Sequence, residues 1–357
     1  SSALSEFDHL RLSGAGEKAA RYLLKRDKDS LSGEGYHSEL AEKYARILPD
    51  IRDEMLQNQL RLRLGEAYRA TGQLWEALDC FEIVYKNSSD TDHHHALAGM
   101  ARAHYDLGQF QSALSYWQQA LAKTLDEKDT ESEAHVRSGI GWVSYLLGDY
   151  DAAIRDFREA LRLFRVLGDR RHEGMNMGDM GVVLMALGDM DAAIQLLEQS
   201  VDIADLDGSE REAGYKGMYL ATAHLLAGEW DAADEVTRIT LQYRGAPINK
   251  PALLMIHGMI LMQLNQADDA RHAFQMALQE GETLLNLTPG LYQLRYARGL
   301  AYAGLALLNH NPPIDAELEL GRAQAICSAA GVLASQARLL NVLKQRDTEG
   351  VLAEIVL

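Results

Sequence analysis

The chain is a succession of apolar runs at helical spacing, each stopped by a glycine and followed at once by another run. Gly108, Gly148, Gly188 and Gly228 stand at equal intervals of 40 residues, and each is answered five residues on by Ala113, Ala153, Ala193 or Ala233. Gly72 with Ala77 is an earlier copy at a spacing of 36, and Asn265 with Ala270 a later one at 37. Self-similarity at such a period marks a repeat architecture. Glycine, or Asn265 in its place, supplies the left-handed residue that ends a helix. The alanine lets the following helix lie close against the first. Each period therefore predicts two helices joined by a tight turn.

The ends depart from this rhythm. Glu17 to Arg26 and Glu39 to Leu48 read as two helices, with Ala19, Ala20, Leu23 and Leu24 on one apolar face and Leu40, Tyr44, Ile47 and Leu48 on the other. Asp27 to Gly35 between them is a polar, glycine-bearing loop. A terminal repeat is atypical because one of its faces meets water, so residues 1–57 are expected to form a divergent capping hairpin. Residues 58–330 carry the regular array. Its last copy has two prolines at the start of a second helix, in Asn309 to Ile314, with Gly304, Ala316, Leu320 and Ala323 keeping the motif's spacing. Residues 331–357 are expected to be C-terminal capping helices, Val332 to Arg346 carrying Leu333, Ala337, Leu340 and Leu343 at helical spacing. The very apolar end, Glu349 to Leu357, must pack: either it caps the last repeat or it leads into a longer protein.

The residues around these turns resemble the tetratricopeptide repeat family. Leu64, Gly65, Tyr68, Ala77 and Phe81 match its Leu-Gly, Tyr, Ala and aromatic signature, as do Gly141, Ala153, Phe157 and Ala160, and then Gly258, Ala270, Phe274 and Ala277. The family's Trp is absent from its expected place in every copy, and several copies exceed the usual length through segments such as Leu167 to Glu173. In that respect the chain is similar to the longer arrays of bacterial peptide-sensing regulators, the sensor arms of signal-transducing ATPases and polarity scaffolds. The resemblance implies an all-α fold, a right-handed superhelical solenoid of antiparallel helix hairpins with about seven repeats plus capping helices.

Composition narrows the choice of partner. A formal charge of −17 and a pI near 5.1 disfavour a direct nucleic-acid surface, which needs clustered Lys and Arg. No apolar run is long enough to span a membrane, and the opening residues show no signal-peptide pattern, so a cytoplasmic protein is expected. Cys80 and Cys327 lie far apart in helical patterns and read as buried thiols. Phosphate-loop, His-Glu-x-x-His and Gly-x-Ser-x-Gly motifs are all missing, so no enzyme and no cofactor is expected. Asp90-Thr-Asp-His-His-His95 clusters potential ligands, but successive helical residues point in different directions, and the segment reads as a polar helix start rather than a metal site.

The resemblance also implies a concave groove lined by the first helix of each hairpin. Carried onto this sequence, its lining positions include Arg69, then Arg102 and Tyr105, then Trp142 and Tyr145, then Met175 and Met185. Tyr215 and Met218 follow, then Met255, Met259 and Met262. The expected groove is thus charged at one end and aromatic and methionine-rich in the middle. Surfaces built from flexible, polarizable methionine accommodate varied apolar ligands. Arg69 and Arg102 either meet a ligand carboxylate through forked hydrogen bonds or pair with Glu66 and Asp106.

The function expected is a non-enzymatic protein- or peptide-binding module, the sensing or interaction arm of a bacterial regulator. Its ligand is an apolar or amphipathic peptide, including a helix from a partner or from the same polypeptide. The alternative is an assembly scaffold, a homo-oligomer associating through its ends or its acidic convex face.

Overall fold

The computed structural model of the chain describes residues 2–27, 36–87, 93–243, 247–288 and 290–357. Those residues form 18 α-helices and no strand. They divide into two compact units, Ser1–Val143 and Ser144–Leu357, and the division falls inside one helix.

The first unit opens with α1 (Ser2–Leu12), α2 (Gly16–Arg26) and α3 (His37–Ile47). Their apolar sides, with Phe7, Leu23, Leu40 and Tyr44 fully buried, close one core with Leu56, Leu60 and Leu64 of α4 (Glu54–Ala70). The Tyr44 hydroxyl donates to Asp27 Oδ2 across 2.6 Å inside that core. Burial and the neighbouring carboxylate both push the phenol's pKa up. The expected helices over 17–26 and 39–48 are therefore present, and the loop expected from Asp27 to Gly35 lies mostly outside the described residues. From α4 the hairpins run regularly, with α5 (Leu74–Asn87), α6 (His93–Asp106), α7 (Phe110–Glu127) and most of α8 (Thr130–Leu147).

In the second unit the end of α8 is followed by α9 (Tyr150–Leu167), α10 (Arg170–Leu187), α11 (Met190–Leu206), α12 (Glu210–Ala227) and α13 (Trp230–Thr240). Then come α14 (Lys250–Gln263), α15 (Ala267–Leu287), α16 (Tyr292–Asn309), α17 (Ile314–Ile326) and α18 (Ala330–Lys344).

The turn chemistry is the one the repeat demands. Gly148 and Gly188 hold φ of 87° and 89°, and Asn265 substitutes for glycine at φ 60°. Lys128, Gly168 and Gly208, again 40 residues apart, take the left-handed conformation at the opposite ends of the hairpins. Asp149, Asp169 and Asp189 then cap the helices that follow, each accepting a backbone N–H three residues on.

One aromatic wedge holds successive hairpins together. In the first unit the Phe81 ring of α5 fills the space against Gly65 of α4 and Gly99 of α6, where a Cβ would come within 2.7 Å and 2.5 Å of the ring. In the second unit Phe274 of α15 sits likewise against Gly258 of α14 and Gly304 of α16. Both rings are fully buried. A methyl at any of these glycines forces the ring out of a close-packed site. Cys80 and Cys327 are buried and unbridged, and burial pushes the Cys80 thiol up to about 11.

Candidate functional site

Within the first unit, the expected charged end is a closed ionic network. Glu66 of α4 accepts from Arg102 of α6 at 2.5 Å and 3.1 Å and from Arg69 at 3.1 Å. Arg69 reaches on to Asp106 at 2.7 Å. Desolvation acts to raise the Glu66 carboxyl, but the two guanidinium groups outweigh it and hold it down to about 2. Asp106 is raised, because burial, with the neighbouring Glu66 carboxylate, outweighs the pull of Arg69 and Arg102. Both arginines thus pair with their own chain, and Arg102 also lies over the Trp117 ring with 5.7 Å to its centroid. Beside this network Trp142 Nε1 donates to the Tyr105 hydroxyl across 2.9 Å.

Next to Arg102, α6, α7 and α8 line an open-mouthed cavity of about 570 Å³. Arg102, Trp117, His94, His95, Asp129 and His135 line it. That volume falls in the range of small-molecule and peptide side-chain pockets. Its wall mixes an indole face with imidazoles and a guanidinium. His94 is buried, with Nδ1 2.7 Å from Glu127 and Nε2 3.5 Å from Asp129. Burial raises the Asp129 carboxyl, yet hydrogen bonds from Ser132 and the adjacent imidazoles hold it below its ordinary value. Among the described residues no group of three His, Cys, Asp or Glu side chains is placed to hold a metal ion. Of the segment read as a polar helix start, Asp90, Thr91 and Asp92 lie outside the described residues, and His93 to His95 begin α6.

The second unit presents a different surface. Its last helix, α18, packs against α16 of the last hairpin and also reaches the C-terminal ends of α8 and α10 and the turn after α14. Gly331 presses backbone to backbone on α8: a Cβ there would collide with the Tyr145 carbonyl oxygen and come within 2.9 Å of the Leu146 oxygen. Ala330 meets Gly148 at the adjoining turn. Ser335 hydrogen-bonds the buried Tyr145 side chain, whose hydroxyl is raised by burial against the opposing pull of Arg338 and Ser335. Arg338 donates to the carbonyl of Ala186 at the end of α10 across 3.2 Å, and Arg346 donates to Asn265 beyond α14 across 2.6 Å. Val332, Leu339, Leu340, Val342 and Leu343 are buried along α18. Past the helix, Asp347 accepts from the amides of Val351 and Leu352, Lys344 donates to the Ile355 carbonyl, and Leu352 and Ile355 are buried.

The groove positions carried over from the repeat family accordingly fall into two groups. Arg69, Arg102, Tyr105, Trp142, Met175 and Tyr215 are half-buried. Tyr145, Met185, Met218, Met255, Met259 and Met262 are buried, Met185 at 2% exposure and Met259 at 0%. The first unit brings Arg69, Arg102, Tyr105 and Trp142 into one neighbourhood. In the second unit Tyr145, Met185 and Met262 belong to the helix ends that α18 crosses. Sequence reasoning missed the cavity wall of His94, Trp117 and Asp129, and the seating of α18. The stripe of Leu340 and Leu343 and the apolar C-terminal end did signal a segment that had to be covered.

The stacked hairpins, left-handed turns and aromatic wedges define an all-α array of helix hairpins. Residues 92–165 and 132–206 match the tetratricopeptide repeat family model. No curated protein matches the sequence. Among solved structures, a Rap protein complexed with competence and sporulation factor is 12% identical, with 96% of this chain and 98% of that chain covered at a TM-score of 0.59. The apo form of the quorum sensor NprR from B. thuringiensis is 16% identical, covering 97% of each chain at 0.59. NprR in complex with its cognate peptide NprX is 16% identical, covering 96% of this chain and 97% of that one at 0.60. These likenesses show the fold, an all-α array of tetratricopeptide-like hairpins. Among the described residues no helix is long and apolar enough to cross a membrane.

Proposed function

We propose that the chain is a non-enzymatic peptide-binding module, the sensing arm of a bacterial regulator, which takes an apolar or amphipathic peptide on the concave positions of its repeats. The observation that carries this reading is the cavity of about 570 Å³ in the first unit, lined by Arg102, Trp117 and His135. An indole face offers an apolar side chain a stacking partner, and the imidazoles offer hydrogen bonds that fix its orientation. The full-length likeness in fold to NprR in complex with its cognate peptide NprX supports the same reading.

The test is capture from a bacterial peptide extract by native mass spectrometry, comparing the wild type with an Arg102→Ala, His135→Ala variant. The expected result is a peptide-mass adduct retained by the wild type and lost from a variant whose circular dichroism is unchanged. Retention by both, or by neither, would remove the cavity from the account. Self-association is the rival reading, favoured by the exposed Leu12, Leu206 and Val356. The native mass of the isolated chain decides it: a monomer at micromolar concentration excludes the scaffold.

A further inference from the structure

The wall of the first unit's cavity also selects among peptides. We propose that this cavity takes the cationic end of a basic peptide side chain, a guanidinium or ammonium on its apolar stem. The proposal rests on the peptide-binding reading above and deepens it by fixing the chemistry of the ligand.

Three observations carry it. First, the permanent positive charge in the wall is already engaged. Arg102 is the only Lys or Arg lining the cavity among the described residues, and it directs Nε and Nη2 to Glu66. With Arg69 and Asp106 that network holds two charges of each sign, so it offers an anion little. Secondly, the carboxylates of the wall have no such balance. Asp129 accepts the Ser132 amide at the start of α8, and its side chain stays 35% exposed, within reach of a ligand. Glu131, in the first turn of α8, is exposed and makes no hydrogen bond or ion pair among the described residues. Both stand at a helix N-terminus, where the backbone's partial positive charge favours the ionised carboxylate. The buried His94 faces two acids, Glu127 and Asp129, so carboxylate outnumbers imidazole around it. His95 and His135 complete the wall, and an imidazole, unlike a guanidinium, is not a permanent cation. Thirdly, the rest of the lining suits an alkyl stem. Ala98, Val136 and the Trp117 ring are apolar, and Gly139 lets the indole lie against α8, where a Cβ would come within 2.5 Å of it. Lysine and arginine lay their methylenes along such a surface while the charged head meets an acid. A carboxylate ligand would meet Asp129 and Glu131 as like charges. The formal charge of −17 on the chain draws a cation in and repels an anion.

The test uses the full chain and synthetic heptapeptide pools of random uncharged residues, N-acetylated, with arginine, citrulline or glutamate fixed at the centre. A further pool has central citrulline and a free N-terminus, the other source of a cation. Retention through gel filtration is read by native mass spectrometry. The arginine pool should be retained on the order of tenfold more than the acetylated citrulline pool, and the glutamate pool least. An Asp129→Asn, Glu131→Gln variant should lose that preference with its circular dichroism unchanged, because asparagine still caps α8. A Glu76→Gln, Glu82→Gln variant removes the same charge from α5, away from the cavity, and should keep the preference. Equal retention of the arginine and citrulline pools, selection of the glutamate or free-amine pool instead, or a preference that survives in the first variant would overturn the proposal. Pools retained without regard to charge would leave the peptide-binding reading standing and remove the ligand class alone. Retention of no pool would remove both.

Discussion

The two units fill equivalent positions of their repeats, one row in each, with opposite chemistries. In the first unit that row is charged and aromatic: Glu66, Arg69, Arg102 and Asp106 neutralise one another, and a cavity is left beside them. In the second it is apolar, and the chain's own α18 lies over the helix ends that bound it. A polar row is stable when its charges are paired and half in water. A methionine-rich row gains by losing contact with water, at about 25 cal/mol per Å² of apolar surface buried.

The sharpest way to break this contrast is to place a charge in the covered row. Met259→Glu buries a carboxylate where exposure is 0%, and the second unit should lose more than about 4 kcal/mol of stability. Thermal melting read separately in the two units would check it, and an unchanged melt would show that the row is open to water. Gly331→Val, which drives a side chain into the Tyr145 carbonyl, should cost about 3 kcal/mol or release α18 altogether. Proteolysis between residues 327 and 330 would report the release. Gly148→Val combines a φ of 87° with a Cβ that would lie 3.2 Å from Ala330, and should cost roughly 2 kcal/mol by denaturant titration.

The smallest effect is expected in the first unit. Arg102→Ala leaves Glu66 paired with Arg69 and should cost only about 0.5–1 kcal/mol, since the network is partly solvated. Its signature is in the acid limb. The Glu66 carboxyl lies at about 2 in the folded chain against an ordinary 4.5, so its contribution is fully present above 4.5 and lost as pH falls toward 2. Removing Arg102 should raise that folded value, narrowing the window and bringing the loss to a higher pH. An identical acid profile in wild type and variant would contradict the network.

The turns were the most legible part of the chain. Gly148, Gly188 and Asn265 could be assigned from spacing alone because only a few residues tolerate the left-handed conformation there, and all three adopt it. The helices over 17–26 and 39–48 were equally plain from their apolar stripes. Helix α1 was missed because its apolar residues, Leu4, Phe7, Leu10 and Leu12, are mixed with polar ones on an indistinct face. The division inside α8 leaves no mark, since the repeat pattern runs across it unbroken. At the candidate site, type was legible and circumstance was not. Helical spacing shows that Leu340 needs cover. It cannot show where α18 lies, because that depends on contacts more than 150 positions apart, as between Arg338 and Ala186. For the same reason Arg102 pairing with Glu66 was one of two open readings until the distances chose it.

The central claim is that α18 is seated on the second unit's helix ends while the first unit's cavity stays open, and hydrogen exchange of the intact chain tests it most directly. The account predicts that amides of residues 333–343 exchange as slowly as those of α14, and that Gly331→Val speeds them by on the order of a hundredfold or more while α4 to α7 are unaffected. If α18 in the wild-type chain exchanges at the rate of an exposed, undocked helix, the account is wrong.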